Sequence, residues 1–123
     1  MRKRLPLLLF IVLPLGFLRV DAAFAHAFPD HSEPAVGSVV ATPPAEIRIW
    51  FTEKLEPSFS RVEVLDAAGA RVDRGDARID AQDKTLLRVA LKPLAAGTYK
   101  VVWHVVSVDT HATQGDFAFT VKE

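Results

Sequence analysis

Apolar and polar residues alternate in several short segments between residues 46 and 121, and this alternation is the clearest pattern in the chain. Successive side chains of an extended backbone point to opposite faces, so the alternation predicts strands with one buried face. Proline and glycine residues separate the segments, as expected for turns. The predicted strands lie at 46–52, 60–65, 85–91, 99–105 and 117–121.

Short strands joined by turns over about a hundred residues are typical of a β-sandwich, so the sequence predicts an all-β, Ig-like domain of about seven strands. The turn at 66–69 is predicted to close a hairpin that returns through 70–72. Tyr99, two residues after Gly97, is positioned to form a tyrosine corner. The polar segment 73–84 carries no predicted element.

The first 25 residues have the pattern of a secretory signal peptide. Basic residues at positions 2–4 precede an apolar run at 5–18, and the small-residue box Ala-Phe-Ala follows at 23–25. The apolar run is shorter than the ~20 residues that span a bilayer, and two prolines and a glycine interrupt it, which argues against a membrane anchor. We therefore expect residues 1–25 to be removed on export, leaving a domain of residues 26–123 that begins at His26.

A second possible cleavage box, Ala-His-Ala, lies at residues 25–27. Cleavage there would start the mature chain at Phe28 and discard His26. The sequence favours cleavage after Ala25 but leaves both sites open.

The charge of the predicted domain and its lack of sulfur exclude some kinds of partner and some kinds of metal site. Residues 1–25 hold four of the 15 basic residues and one of the 15 acidic ones, which leaves 11 basic against 14 acidic residues in the predicted domain. A mildly acidic surface without a basic block argues against nucleic acid as a partner. The chain has no cysteine, and its one methionine is Met1, so the predicted domain has no sulfur ligand for a metal.

The segment between the last two predicted long strands contains Asp109 and His111, a carboxylate and an imidazole two residues apart. An N-terminal histidine at position 26 would add an amine and a second imidazole, which can close a chelate ring on one metal ion. Nitrogen and oxygen ligands in a tetragonal plane suit Cu(II), with Zn(II) as the competitor. A single Asp-x-His in a loop is also common as an ordinary turn, and the spacing alone leaves the two interpretations open.

The motifs along residues 26–123 resemble those of the CopC family of periplasmic copper-resistance proteins. The resemblance rests on the histidine exposed by cleavage and on four segments, which are Ser-Glu-Pro-Ala-Val-Gly at 32–37, Phe-Thr-Glu at 51–53, Gly-Thr-Tyr at 97–99 and the run from Trp103 to His111. It implies a Greek-key β-barrel or sandwich and a Cu(II) site made by His26, Asp109 and His111. Glu53 matches a family carboxylate near the copper and is a second-tier candidate ligand.

The resemblance also implies a function, that of a non-enzymatic Cu(II) carrier or buffer in the periplasm that exchanges copper with a CopD-like inner-membrane protein. Two features depart from some family members. This chain has no methionine-rich segment for Cu(I), and Phe28 stands where a second histidine can occur. We therefore expect a site for Cu(II) alone.

Two other function classes stay open at this point. Copper held by an N-terminal histidine on a β-sandwich is also the arrangement of copper-dependent polysaccharide mono-oxygenases, and an Ig-like domain can be a metal-free interaction module. The two remaining histidines and Trp50 have simpler interpretations. His31 is expected to cap a turn, His104 to lie on an outer sheet face, and Trp50 to point outward.

Overall fold

The computed structural model describes residues 3, 4, 6, 16 and 26–123. The predicted signal peptide, residues 1–25, lies outside the described residues except at those first four positions, and it stays a prediction. Among the described residues, no helix is both long and apolar enough to cross a membrane.

Residues 26–123 form eight strands and one short 3₁₀ turn, Pro57–Phe59. The strands are β1 (Pro29–Glu33), β2 (Val39–Val40), β3 (Glu46–Phe51), β4 (Arg61–Leu65), β5 (Arg78–Ile79), β6 (Leu86–Ala90), β7 (Gly97–Val106) and β8 (Ala112–Val121).

The strands build two four-stranded sheets, in the orders β1-β3-β6-β5 and β2-β8-β7-β4. Alternate side chains of β3 and β7 are buried, as the alternating sequence predicted. The apolar core between the sheets includes Ile47, Ile49, Phe51, Val62, Val64, Leu87, Val89, Tyr99, Val101, Trp103, Val105, Phe117, Phe119 and Val121. The predicted all-β sandwich is thus confirmed.

The tyrosine corner is also confirmed. The Tyr99 hydroxyl donates a hydrogen bond of 2.6 Å to the carbonyl oxygen of Ala95, and the ring stacks on Phe119 with centroids 5.5 Å apart. This contact ties the turn before β7 to the strand itself and fixes the start of the longest hairpin in the described chain.

The polar segment 73–84 is more ordered than the sequence indicated, since it contains β5. The segment begins at Asp73, whose side chain is fully buried and pairs with Arg71. The Asp73 carboxylate accepts hydrogen bonds from Val64 N at 2.9 Å, Gly75 N at 2.8 Å and Arg71 Nε at 2.9 Å. Burial acts to raise the pKa of Asp73, but these donors outweigh it and the pKa lies below its usual value.

Strands β7 and β8 form the hairpin that carries the candidate site. Each has ten residues, and their pairing runs from Gly97 opposite Val121 to Val106 opposite Ala112. Gly115 lies opposite Trp103, and a Cβ atom at position 115 would stand only 2.5 Å from Trp103 Cζ2. The backbone of β8 therefore lies directly against the indole, four residues beyond His111.

Candidate metal centre

Residues 107–111 connect β7 to β8 in a tight, internally bonded loop. Ser107 N donates to His111 O at 3.0 Å, and Thr110 N donates to Ser107 O at 2.8 Å. Thr110 has a φ of 73°, in the left-handed region that a tight reversal requires. Val108 N donates to Lys54 O at 3.0 Å, which fastens this loop to the loop after β3.

Ser107 orients the two predicted ligands of this loop. It is 1% exposed, and its hydroxyl donates to Asp109 Oδ1 while accepting from His111 N at 3.3 Å. The Ser107 hydrogen bond, with a smaller contribution from His111, lowers the pKa of Asp109 below its usual value. Asp109 is therefore a carboxylate at neutral pH, which is the form that binds a cation.

Asp109 and His111 lie close enough to share one ion. Asp109 Oδ1 is 3.4 Å from His111 Nδ1, and 45% and 30% of the two side chains are exposed. Two donors about 2 Å from one metal stand roughly 2.8 Å apart at a right angle and roughly 3.3 Å apart in a tetrahedron. A small side-chain adjustment would bring this pair to either geometry.

His26, at the N-terminal end of residues 26–123, lies next to His111. Its ring lies edge-on to the His111 ring, with centroids 4.9 Å apart and an interplanar angle of 74°. The residue is exposed, so its imidazole is free to turn toward an ion beside His111. The three residues that the resemblance named are thus neighbours in space.

The three side chains do not form a finished metal site in this arrangement. Within residues 26–123, no group of three or more histidine or acidic side chains has the geometry of a metal-binding cluster. An ion held by Asp109 and His111 would require the His26 ring to turn toward it. The His26 nitrogen is a peptide nitrogen in the full-length chain and would become an amine ligand only after cleavage.

Glu53 lies in the loop after β3, next to Thr52, and is half-buried. Among residues 26–123, no ion pair involves its carboxylate. Its proposed role beside the metal therefore stays a prediction.

The other two histidines lie in different surroundings. His31 belongs to β1 instead of capping a turn, so that expectation was wrong: its ring stacks on Trp50, with centroids 4.3 Å apart, because the two residues are cross-strand partners. The His31 Nδ1 atom is 2.7 Å from Asp30 Oδ2. His104 is half-buried in β7, between Arg61 and Gln114 of the neighbouring strands.

Sequence reasoning missed three hydroxyl residues around the site, Ser107, Thr52 and Thr113. Thr52 and Thr113 bond to the backbone of residues 26–28, and Ser107 bonds to Asp109. Ser107 and Thr52 lie inside the motifs that carried the resemblance. Their place in these motifs was the sequence signal that could have identified them.

Comparison with known proteins decides the family. The family model described as the CopC domain matches residues 30–122, which is most of the chain. The chain belongs to the CopC family. The match begins after His26, so it covers Asp109 and His111 but not the predicted N-terminal ligand.

Individual relatives of this CopC-family chain agree with that assignment. It is 35% identical over 118 residues to Copper resistance protein C of Xanthomonas campestris pv. juglandis, covering 91% of this chain and 92% of that protein. It is 34% identical over 116 residues to Copper transport protein CutJ of Bacillus subtilis, covering 94% of this chain but 20% of that protein. The crystal structure of CopC from Methylosinus trichosporium OB3b superposes with a TM-score of 0.74 at 32% identity, covering 79% of this chain and 94% of that one.

Proposed function

We propose that this CopC-family protein is a periplasmic, non-enzymatic Cu(II) carrier, and that its copper ligands are His26, Asp109 and His111. The observation that carries the proposal is the meeting of residues 26 and 111, with ring centroids 4.9 Å apart and with Asp109 Oδ1 3.4 Å from His111 Nδ1. Relatives named Copper resistance protein C and Copper transport protein CutJ support copper as the cargo.

The available donors favour the oxidised ion. Two imidazoles, an amine and a carboxylate are nitrogen and oxygen ligands, which suit Cu(II), whereas Cu(I) prefers thiolate and thioether sulfur. Residues 26–123 contain neither cysteine nor methionine. We therefore expect the site to bind Cu(II) and to hold Cu(I) weakly.

The fold supports cleavage after Ala25 over cleavage after Ala27. Ala27 is fully buried, and its carbonyl oxygen accepts a 2.7 Å hydrogen bond from the Thr113 hydroxyl. A chain that began at Phe28 would lose that buried residue and this contact, together with the proposed ligand. Residues 26 and 27 thus behave as part of the domain.

The number of proposed protein ligands supports a carrier role. Two histidines, an amine and Asp109 would together fill coordination positions that an oxygen-activating enzyme needs open. The CutJ relative, in which the matching region is a fifth of a copper transport protein, supports a CopD-like inner-membrane protein as the exchange partner.

The N-terminal amine offers the sharpest test. We expect one extra residue before His26 to weaken Cu(II) binding to residues 26–123 by more than about a hundredfold, because changes even to groups that only support a ligand cost 10–100-fold. Affinity would be measured by competition with a chromophoric Cu(II) chelator. The matched control carries the same extra residue after Glu123.

Histidine substitutions complete the test. His26→Ala and His111→Ala should each weaken binding, whereas His104→Ala, on an outer sheet face, should not. Equal affinities for the parent, the N-terminally extended chain and His26→Ala would exclude the proposed site. Mass analysis of the exported protein should give a chain that begins at His26.

A further inference from the structure

Residues 26–28 are held between the two sheets by two threonines. Thr52 directly follows β3 of one sheet, and its hydroxyl donates to His26 O at 3.4 Å and accepts from Phe28 N at 3.1 Å. Thr113 lies in β8 of the other sheet and donates to Ala27 O at 2.7 Å. The segment that carries the proposed ligand is therefore bonded on both sides.

Packing reinforces these hydrogen bonds. Ala27 is fully buried in the apolar core, and Thr52 N donates to Phe28 O at 2.8 Å. The segment thus has a buried side chain and backbone bonds to both sheets. Chain termini are ordinarily poorly ordered unless they are tied down in this way.

Such fixing matters for a metal ligand at a chain terminus. Ordering a residue costs backbone conformational entropy, and that cost is subtracted from the binding free energy if the ion must impose the order. A segment that the fold has already ordered avoids this loss. With the backbone of residues 26–28 already fixed, only the His26 ring would have to turn to meet an ion beside Asp109 and His111.

We propose that Thr52 and Thr113 are positioning residues for copper binding, which hold residues 26–28 so that His26 meets the Asp109–His111 pair. This inference rests on the proposed function. Neither threonine is a ligand, because their hydroxyl groups are directed at backbone atoms. Thr113, with the shorter bond, carries the larger share.

The test compares variants of residues 26–123 that keep the side-chain shape. Thr113→Val removes the hydroxyl and suits a strand. We expect it to bind Cu(II) about tenfold more weakly, the upper range for the loss of one neutral hydrogen bond, and to alter the visible d–d absorption and the electron paramagnetic resonance spectrum. Thr52→Val should have a smaller effect of the same kind, and Thr113→Ser should restore binding.

Thr120→Val is the matched control. Thr120 hydrogen-bonds through its hydroxyl to Thr98 at 3.1 Å, at the end of the β7–β8 hairpin away from the loop 107–111. A purely structural effect would lower the melting temperatures of Thr113→Val and Thr120→Val and leave the Cu(II) affinities of both unchanged. The positioning role predicts weaker copper binding for Thr113→Val but unchanged binding for Thr120→Val.

A double-mutant cycle separates this inference from the proposed function. In a His26→Ala background, Thr113→Val should no longer change the affinity, since the ligand that it positions is gone. If His26→Ala itself leaves binding unchanged, the proposed copper site is wrong. If His26→Ala weakens binding but Thr113→Val and Thr52→Val match the parent in affinity and spectrum, only the positioning role is refuted.

Discussion

Gly115→Ala is expected to destabilise the domain, although alanine usually suits a strand better than glycine. The added Cβ would lie 2.5 Å from Cζ2, 2.9 Å from Cε2 and 3.3 Å from Cη2 of Trp103. The indole is 6% exposed, and Phe51 packs edge-on against it with centroids 5.3 Å apart. A shift of the indole away from position 115 would therefore disturb a buried ring that packs against Phe51.

Overpacking of this kind costs about 1–3 kcal/mol, whereas replacing glycine with alanine gains about 0.4–1 kcal/mol by restricting the unfolded chain. The net loss should be about 1–2 kcal/mol in the free energy of unfolding. Each kcal/mol corresponds to roughly 4–8 °C in the melting temperature of a domain of this size.

Chemical and thermal unfolding, followed by circular dichroism, would measure the change. The informative control is the same substitution in a Trp103→Phe background, which lacks the indole atoms nearest to position 115. There Gly115→Ala should be neutral or stabilising. An equal loss in both backgrounds would show that contact with the indole is not the cause.

Three further predictions concern single side chains. Asp73→Asn should cost about 2 kcal/mol, because it removes the charge from a buried carboxylate with three donors. The pKa of Asp73 is lowered in the folded state, so its contribution to stability is complete above the unfolded-state pKa of about 4. That contribution is lost as the pH falls from the unfolded-state pKa toward the folded-state pKa. Between these two pKa values, the stability of Asp73→Asn should therefore depend less on pH than that of the parent. Ser107→Ala should weaken Cu(II) binding about tenfold in a chelator competition, since the loss of this support frees Asp109; unchanged affinity would argue against that role. Glu53→Gln should lower the Cu(II) affinity by less than His111→Ala does, and an equal loss would make Glu53 a full ligand.

The strands and the tyrosine corner were predictable because their signals are local. Alternation along β3 and β7 follows from the two-residue period of a strand, and Tyr99 lies at a fixed distance from the turn before it. The order around Asp73 was not predictable, because its hydrogen-bond donors come from β4 and from a turn with no apolar pattern.

The candidate site likewise has a part that could be predicted from the sequence and a part that could not. Asp109 and His111 are two residues apart, so the sequence pairs them directly. His26 is 85 residues from His111, and only the folded arrangement of the two sheets brings the rings together. The position of His31 was mispredicted because the turn signal of Pro29 and Asp30 is outweighed by strand pairing with β3.

The edges of the two sheets bear on self-association. An unpaired edge strand can template the addition of a strand from another molecule, but β5 and β2 have only two residues each. The β1 edge carries Pro29 and an irregularity in register, and residues 71–73 cover part of β4 through the Leu65–Arg71 bridge and the Asp73 bond to Val64 N. Fibril-like stacking of copies through these margins is therefore disfavoured, and the domain should stay dispersed at concentrations where a flat, open sheet would aggregate.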